Sequence, residues 1–543
     1  YSEIMDTMAR RTYDESGNYT VRDFPIQVKP YETTQQTEQD TKGDYLTLGL
    51  EAGKGYVHGY EVETKATAYL KIPRARTFEN VNNEYLYPDF GPWLETKSSN
   101  GRLVDFSQRK EVNLKSGSKI LNPNHKVTVV AVTNNTNSST KRVYLSGVGS
   151  LMSVLPSVTR IEQKDDTTKY IEVDASKGIN STNAVSPIFP LKESTIKEIT
   201  LNETSYDVVR YMTLQRSGAT FNIVADSNSI DFPPNNQAVI FANLAGGREL
   251  THGTDYSYTV DNSSSPSRLT ITLLGSASTQ SNIDVAIRMT KRQANPRTKT
   301  LTTFVAQFNN QVNGAKTFSH TDIYRIVSVK KGGQPVTGAA LEAIKLDNGQ
   351  RDYYYDYGSV TGLDNNASYE IVYQYFEHGS EGDFFAVNSY TTTTNLNLDK
   401  EIYTTIPQYV TQDGSGLYFL SDCLDFRRSV TQLSGSTNDI VHPETSIRTD
   451  YTFYVGRKDK VYIDKNGVFG VKQGIPSKNP EDPLDVDESM LLYNLTLPPY
   501  TFYPEDIGID HVTNKRYTMK DIGKLEQRID NLEYFTSLSL LEQ

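Results

Sequence analysis

The sequence predicts a mainly β, multidomain chain: an array of β-sandwich and β-hairpin modules that ends in a short α-helix. Three observations carry this reading. Runs of about four to eight residues with period-2 alternation recur along the chain, separated by clusters of Gly, Asn, Asp and Pro. Tyr occurs 36 times and Phe 20 times, against 7 Met and 1 Trp, a usage that suits half-buried pleated surfaces better than helical cores. Sustained helical periodicity is confined to residues 516–543. At 543 residues, and about 100–200 residues per domain, several domains are expected, each with its own core.

Residues 1–75 read as an N-terminal β-domain with a short leading helix over 4–11 and a turn over 14–18. Residues 45–50 and 56–62 read as two arms of a hairpin that turns at the glycines of 51–55. Residues 76–200 form a β-rich domain with strands at 125–132, 142–148 and 168–173, and an exposed polar loop at 134–139. Residues 201–295 have the most regular spacing, with strands at 222–225, 238–241, 256–260, 269–274 and 283–289. That spacing is the pattern of an immunoglobulin-like β-sandwich, without the disulfide and Trp of antibody domains.

Charge and Pro296 break the pattern over 291–299, and a β-rich domain follows at 296–420. Within it Asp347-Asn348-Gly349 reads as a hairpin turn, because Asn-Gly accepts the positive φ of a type I′ turn. The next arm carries Tyr353, Tyr354, Tyr355 and Tyr357. These rings serve either as a glycan or protein contact surface or as ordinary sheet packing at alternate positions. Residues 421–515 form a further β-domain, with a hairpin turning at Lys465-Asn466-Gly467, a proline-rich acidic linker at 476–487 and a strand at 490–497.

Residues 516–543 read as an amphipathic helix and the start of a coiled coil. Ile522 and Ile529 at heptad position a place Leu525 and Leu532 at d, and Arg528 at g faces Glu533 at e of a neighbouring helix. Asp521 at g faces Glu526 at e, which is unfavourable. Thr536 and Ser539 then fall on the seam, and the apolar stripe moves to Phe535, Leu538 and Leu541. Two readings follow: association between chains through Ile522, Leu525, Ile529 and Leu532, or a helix packed on its own β-domain. The chain opens at Tyr1 and closes inside this helical pattern, so further chain is expected beyond both ends.

Composition narrows the chemistry. A net charge of −11 argues against nucleic acid as a partner, since phosphate-backbone binding needs a basic surface. No run approaches the roughly 18 apolar residues of a membrane span, so no membrane insertion is expected. A single cysteine, Cys423, gives neither an internal disulfide framework nor a cysteine zinc site, and its acidic neighbours Asp422 and Asp425 suit a buried structural thiol rather than a nucleophile. The seven histidines are scattered without metal-ligand spacing, and no P-loop, dinucleotide fingerprint or nucleophile elbow appears. The acidic residues of 482–488, and Asp464 with Asn466, do not match an EF-hand loop and read as solvated charge. No catalytic, cofactor-binding or metal-ligating residue is assigned, and no enzyme activity is expected. A pair of carboxylates about 5–9.5 Å apart, all that glycoside hydrolysis needs, stays open among the 66 acidic residues.

Several segments resemble a class of large virion proteins of contractile-tailed, T4-like phages, cyanophages included, which carry a domain of unknown function in the tail or baseplate region. They are residues 8–19, 50–60, 73–77, 346–352, 375–378 and 515–526, and Asp422-Cys423-Leu424-Asp425-Phe426-Arg427. The segments are collinear and cover both ends and much of 300–543, whereas residues 80–295 match less clearly and look like an insertion. The resemblance implies a structural protein of the virion, assembled in the host cytoplasm and placed at the baseplate or an attached tail fibre. Its implied partners are other tail and baseplate proteins and further copies of itself; it supplies no catalytic residues. The rival readings are a glycan-binding adhesin, with a host glycan as partner, and a polysaccharide depolymerase.

Overall fold

The computed structural model of the chain describes residues 2–31, 44–87, 92–100, 102–107, 110–134, 140–148, 151–174, 176, 187–233, 239–244, 247–309, 311, 313–392, 406–412, 414, 416–432 and 439–542. It is mostly β, built from many small sheets, with helices at the two ends of the sequence, Ser2–Ser16 and Met519–Glu542. The chain divides into two compact units.

The first unit brings Tyr1–Glu79 together with Tyr454–Gln543. Strand Tyr45–Leu50 lies between Ile26–Pro30 and Ala68–Pro73, and strand Arg457–Asp464 lies between Phe469–Gln473 and Ser489–Leu497. Alternate side chains of the two sheets, Leu46, Leu48 and Ile72 from one and Val461, Ile463, Met490 and Leu495 from the other, fill one buried core. The hairpin expected between 45–50 and 56–62 is not formed. Lys54–Val57 pairs instead with Tyr60–Glu63, turning at His58 and Gly59, whose φ values of 49° and 80° suit a two-residue turn. Alternation runs unbroken through those two residues, so it hides the turn, whereas the glycines of 51–55 draw attention to themselves.

Gly59 is also where the leading helix docks. Ala9 is buried, and a β-carbon on Gly59 would collide with the Ala9 carbonyl. Tyr13 stacks on His58 with ring centroids 4.3 Å apart, and the Asn18 amide bridges the His58 N–H (2.8 Å) and the Ser489 carbonyl (3.1 Å). The turn at Lys465-Asn466-Gly467 is present, with Gly467 at φ 80° and Ile463 paired to Phe469.

The second unit holds Asn80–Leu396 and Glu401–Phe453. Trp93–Asn100, Glu111–Ser116, Val127–Asn134, Lys141–Ser146, Arg160–Gln163 and Tyr170–Asp174 form a closed antiparallel barrel. Closure comes from Glu111–Ser116, which pairs with both Val127–Asn134 and Arg160–Gln163. It removes the open edges that otherwise invite association, and Leu94, Phe106, Leu114, Val129, Val143 and Ile161 fill the interior. The polar loop expected at 134–139 lies, from 135 onward, outside the described residues. The five strands expected between 222 and 289 are all present. Phe221–Val224, Arg268–Leu273 and Tyr256–Asp261 make one sheet, while Val239–Leu244 joins the long pair Thr204–Gln215 and Asn282–Ala294.

A third sheet centres on Tyr369–His378, flanked by Lys299–Phe308 and Ile323–Lys331. Asp347-Asn348-Gly349 does not close a two-residue hairpin. Lys345–Asp347 pairs with Tyr357–Thr361, and the intervening residues make an excursion in which Tyr354–Tyr355 runs parallel to Arg428–Ser429. Gly349 still requires its glycine, with φ 82° and the Asp356 carbonyl where a β-carbon would stand.

Replacing Gly59 with Ala forces apart the turn and the leading helix. We expect a loss of more than about 1 kcal/mol in the docking of that helix, read as faster tryptic cleavage at Arg10 and Arg11 of the native chain. Unchanged cleavage would show that this contact does not hold the helix.

Candidate functional site

Two features of the structure have chemical or mechanical content: an uncovered helix and a buried knot of charges. The C-terminal helix starts with a reciprocal cap. The Asp521 carboxylate accepts the Thr518 N–H (3.1 Å) and hydroxyl (2.6 Å), while the Thr518 hydroxyl accepts the Asp521 N–H (3.3 Å). Those hydrogen bonds hold the Asp521 pKa below the usual carboxylate range.

Beyond the cap, nothing among the described residues covers the apolar stripe. Ile522 is 47 % exposed, Leu525 41 %, Ile529 56 % and Leu532 68 %, and Phe535 and Leu538 continue the face in the open. The helix therefore does not pack on its own β-domain, one of the two readings open from sequence. Most of a helix's stability comes from packing its apolar face rather than from propensity, and this face is left unpacked among the described residues.

The tyrosine run resolves differently from a contact surface. Tyr353 and Tyr355 are buried, Tyr354 is half-buried, and Tyr357 alone of the four is exposed. Period-2 alternation places 353 and 355 on one face, and that face turns inward because the Tyr355 hydroxyl is needed there. It accepts a hydrogen bond from Lys299 Nζ (2.8 Å) and one from Arg427 Nη2 (2.9 Å), and donates to the Asp425 carboxylate.

Around that hydroxyl the second unit gathers two cations and two anions. Lys299, at the start of its strand, meets Asp322 Oδ2 at 2.8 Å, and both side chains are sealed from solvent. His378 Nε2 lies 2.9 Å from the same oxygen, and Gln350 Nε2 donates to Asp322 Oδ1 at 3.0 Å. Arg427 grips Asp425 in a two-point contact, Nε to Oδ1 at 3.0 Å and Nη2 to Oδ2 at 2.9 Å, and stacks between the rings of Tyr355 and Tyr409. Burial and Lys299 act in opposite senses on the Asp322 carboxyl, and the net effect is a pKa below the ordinary range; Asp425 is likewise lowered, chiefly by Arg427. Burial pushes the Lys299 ammonium and the His378 imidazole down and the Tyr355 hydroxyl well up. Cys423 sits beside this knot, buried, with its thiol pushed up by burial, as a structural thiol should be.

A second buried group lies elsewhere in the same unit. Asp439 accepts from Arg210 Nε (2.7 Å) and Lys291 Nζ (2.8 Å), and Lys291 also reaches Asp383 (3.0 Å). It borders a cavity of about 20 Å³ lined by Tyr206, Tyr353, Phe426 and Arg428, room for one water molecule. The acidic residues of 482–488, expected to be solvated, are exposed, and Asp482, Asp485 and Glu488 make surface ion pairs with Lys458, Lys460 and Lys465. Asp464 caps its own turn by accepting the N–H groups of Asn466 and Val468. Among the described residues no group of three or more His, Cys, Asp and Glu side chains is placed to hold a metal ion, and no helix is long and apolar enough to cross a membrane.

His442 contributes a pH dependence of its own. It is buried, its Nδ1 accepts the Glu444 N–H (3.2 Å), and burial beside Arg288 pushes its pKa down to about 4. An unfolded imidazole titrates near 6.5, so as pH falls the unfolded chain takes up the proton first. The resulting stability, about 3 kcal/mol from the size of the shift, is complete above about 6.5 and is lost progressively toward about 4. Urea unfolding across this window should show that slope, and His442→Gln should reduce it, leaving the share of the buried His378; an equal slope in the variant would assign the effect to other groups.

Comparison with known proteins places the sequence in a family but attaches no activity to it. No curated protein and no solved structure matches the chain. The family described as a domain of unknown function (DUF4815) matches residues 1–90 and 298–543, taking in the first unit's two ends and every member of the buried knot, and leaves the barrel and the long strand pair outside. With well over half of its length matched, the chain belongs to the DUF4815 family.

Proposed function

We propose that this chain is a structural protein of a contractile phage tail, at the baseplate or a fibre attached to it, where it acts as a rigid scaffold and adaptor between subunits. The observation that carries the reading is the uncovered stripe Ile522, Leu525, Ile529 and Leu532 at the end of a chain whose strands are otherwise well packed. A capped helix with a naked seam is a connector: burying each of those side chains contributes roughly 1.5–3 kcal/mol, enough together to hold a joint. The collinear phage-like segments supply the context, and all of them fall within residues 1–90 and 298–543, which the family covers. A closed barrel and buried charge knots suit a part that transmits force rather than one that turns over substrate. Of the two surfaces open to the glycan-binding alternative, the sandwich of 201–295 and the tyrosine run, the second is weakened by the burial of Tyr353 and Tyr355.

A chain ending at Tyr517 tests this reading. We expect the full chain, alone or with its partners, to scatter light as a particle larger than a monomer, and the shortened chain as a monomer. Antibody against the chain should decorate the baseplate end of intact particles and find nothing on particles assembled when only the shortened chain is supplied. A full chain that stays monomeric with its partners present, or label confined to the capsid, would overturn the proposal.

A further inference from the structure

The buried pair of Lys299 and Asp322 has the makings of a covalent bond. Lys299 Nζ stands 2.8 Å from Asp322 Oδ2, and neither side chain is measurably exposed. The ammonium is lined by aromatic rings, Tyr355 at 4.1 Å, Phe385 at 4.4 Å, Tyr390 at 5.2 Å and Phe376 at 6.0 Å from Nζ to the ring centres. Asp322 is held in place from several sides. Its backbone sits at φ 53°, in the left-handed region, with its carbonyl bonded to the Phe376 N–H (3.0 Å), and its two carboxylate oxygens are engaged by Gln350 and His378. An amine and a carboxyl group fixed in contact, away from water, react at the high effective concentration of an intramolecular pair.

We propose that Lys299 and Asp322 join through an intramolecular isopeptide bond, formed autocatalytically in the folded second unit. The resting form is the ion pair, with the Asp322 carboxylate held charged by Lys299 and His378. Burial disfavours the Lys299 ammonium, and passage of its proton to Oδ2 within the 2.8 Å contact gives the reactive state, a neutral amine facing a neutral carboxyl group. The amine attacks the Asp322 side-chain carbonyl carbon, whose Oδ1 is polarised by the Gln350 N–H. The Tyr355 hydroxyl, hydrogen-bonded to Nζ on one side and to the Asp425 carboxylate on the other, provides the route by which the attacking nitrogen sheds a proton. The carbon–nitrogen bond forms and the bond to Oδ2 breaks. Of the three protons on the original ammonium, one stays on the amide nitrogen and two leave with Oδ2 as water.

The product also relieves the pocket electrostatically. Two of four buried charges vanish, and Arg427 and Asp425 remain as a balanced two-point pair. The bond would tie the start of strand Lys299–Phe308 to the residue preceding Ile323–Lys331, the two strands that flank Tyr369–His378 on opposite sides.

Intact-mass measurement of the full chain decides the matter without any variant. We expect a mass lower than the sequence mass by one water molecule. Trypsin should yield residues 298–316, uncut at Lys299, joined to 317–325. Asp322→Asn should give the same linked peptides with the loss of one ammonia instead, whereas Asp322→Ala and Lys299→Arg should keep their full sequence mass. Full mass for the unaltered chain after prolonged incubation, with cleavage at Lys299, would overturn the proposal and leave a plain ion pair.

Discussion

The second unit depends on how it houses the Asp425 carboxylate. An isolated carboxylate away from water is too costly for a fold to carry, and Asp425 is buried together with Arg427, Lys299 and Asp322. The arrangement is tolerable because cations and anions are equal in number and every carboxylate oxygen has a donor: Oδ1 of Asp425 takes the Arg427 N–H and Nε, Oδ2 takes Nη2 and the Tyr355 hydroxyl. Removing one partner leaves the others unpaid in a place where water cannot reach them. The residues contributing to it are thereby fixed as a set.

That constraint organises distant parts of the chain. Through its backbone, Asp425 pairs with Phe385 (2.7 and 2.8 Å) and, within strand Cys423–Asp425, with Ile188–Pro190. Three residues later Arg428–Ser429 runs beside Tyr354–Tyr355. A short segment thus gathers the central sheet, the tyrosine arm and a strand from the region the family does not match. Residues 91–297 carry their own closed barrel and long strand pair, so most of their stability is internal, and they join the family part at few strands, Ile188–Pro190 and Thr204–Gln215 among them. A module with its own core, and a barrel that closes on itself, can be accommodated in a scaffold without disturbing the charge knot.

Strands were legible in the sequence because period-2 alternation is local: 256–260 and 283–289 appear as Tyr256–Asp261 and Asn282–Ala294. Pairing was not, since it joins residues hundreds of positions apart, as in the core shared by Leu46 and Val461. Turns misled where glycine is abundant: 51–55 looked like the turn, and His58-Gly59 was it. Of the charge knot, only the spacing of Asp425 and Arg427 is local, while Lys299, Asp322, Tyr355 and His378 are scattered over the preceding domain. The tyrosines alternate visibly, yet alternation does not say which face is buried. The seam of the last helix could be read heptad by heptad, but that its side chains stand exposed is a property of the folded chain.

The most direct test of this account replaces Asp425 with Asn, which keeps the shape and removes the charge. The account predicts a loss of about 3–5 kcal/mol in urea unfolding of the second unit, the cost of stranding a buried cation. It also predicts faster amide exchange at Phe385 and across residues 423–429. A loss below about 1 kcal/mol, the scale of an ordinary hydrogen bond, with exchange unchanged, would contradict it and demote the charge knot to a passive feature of the core.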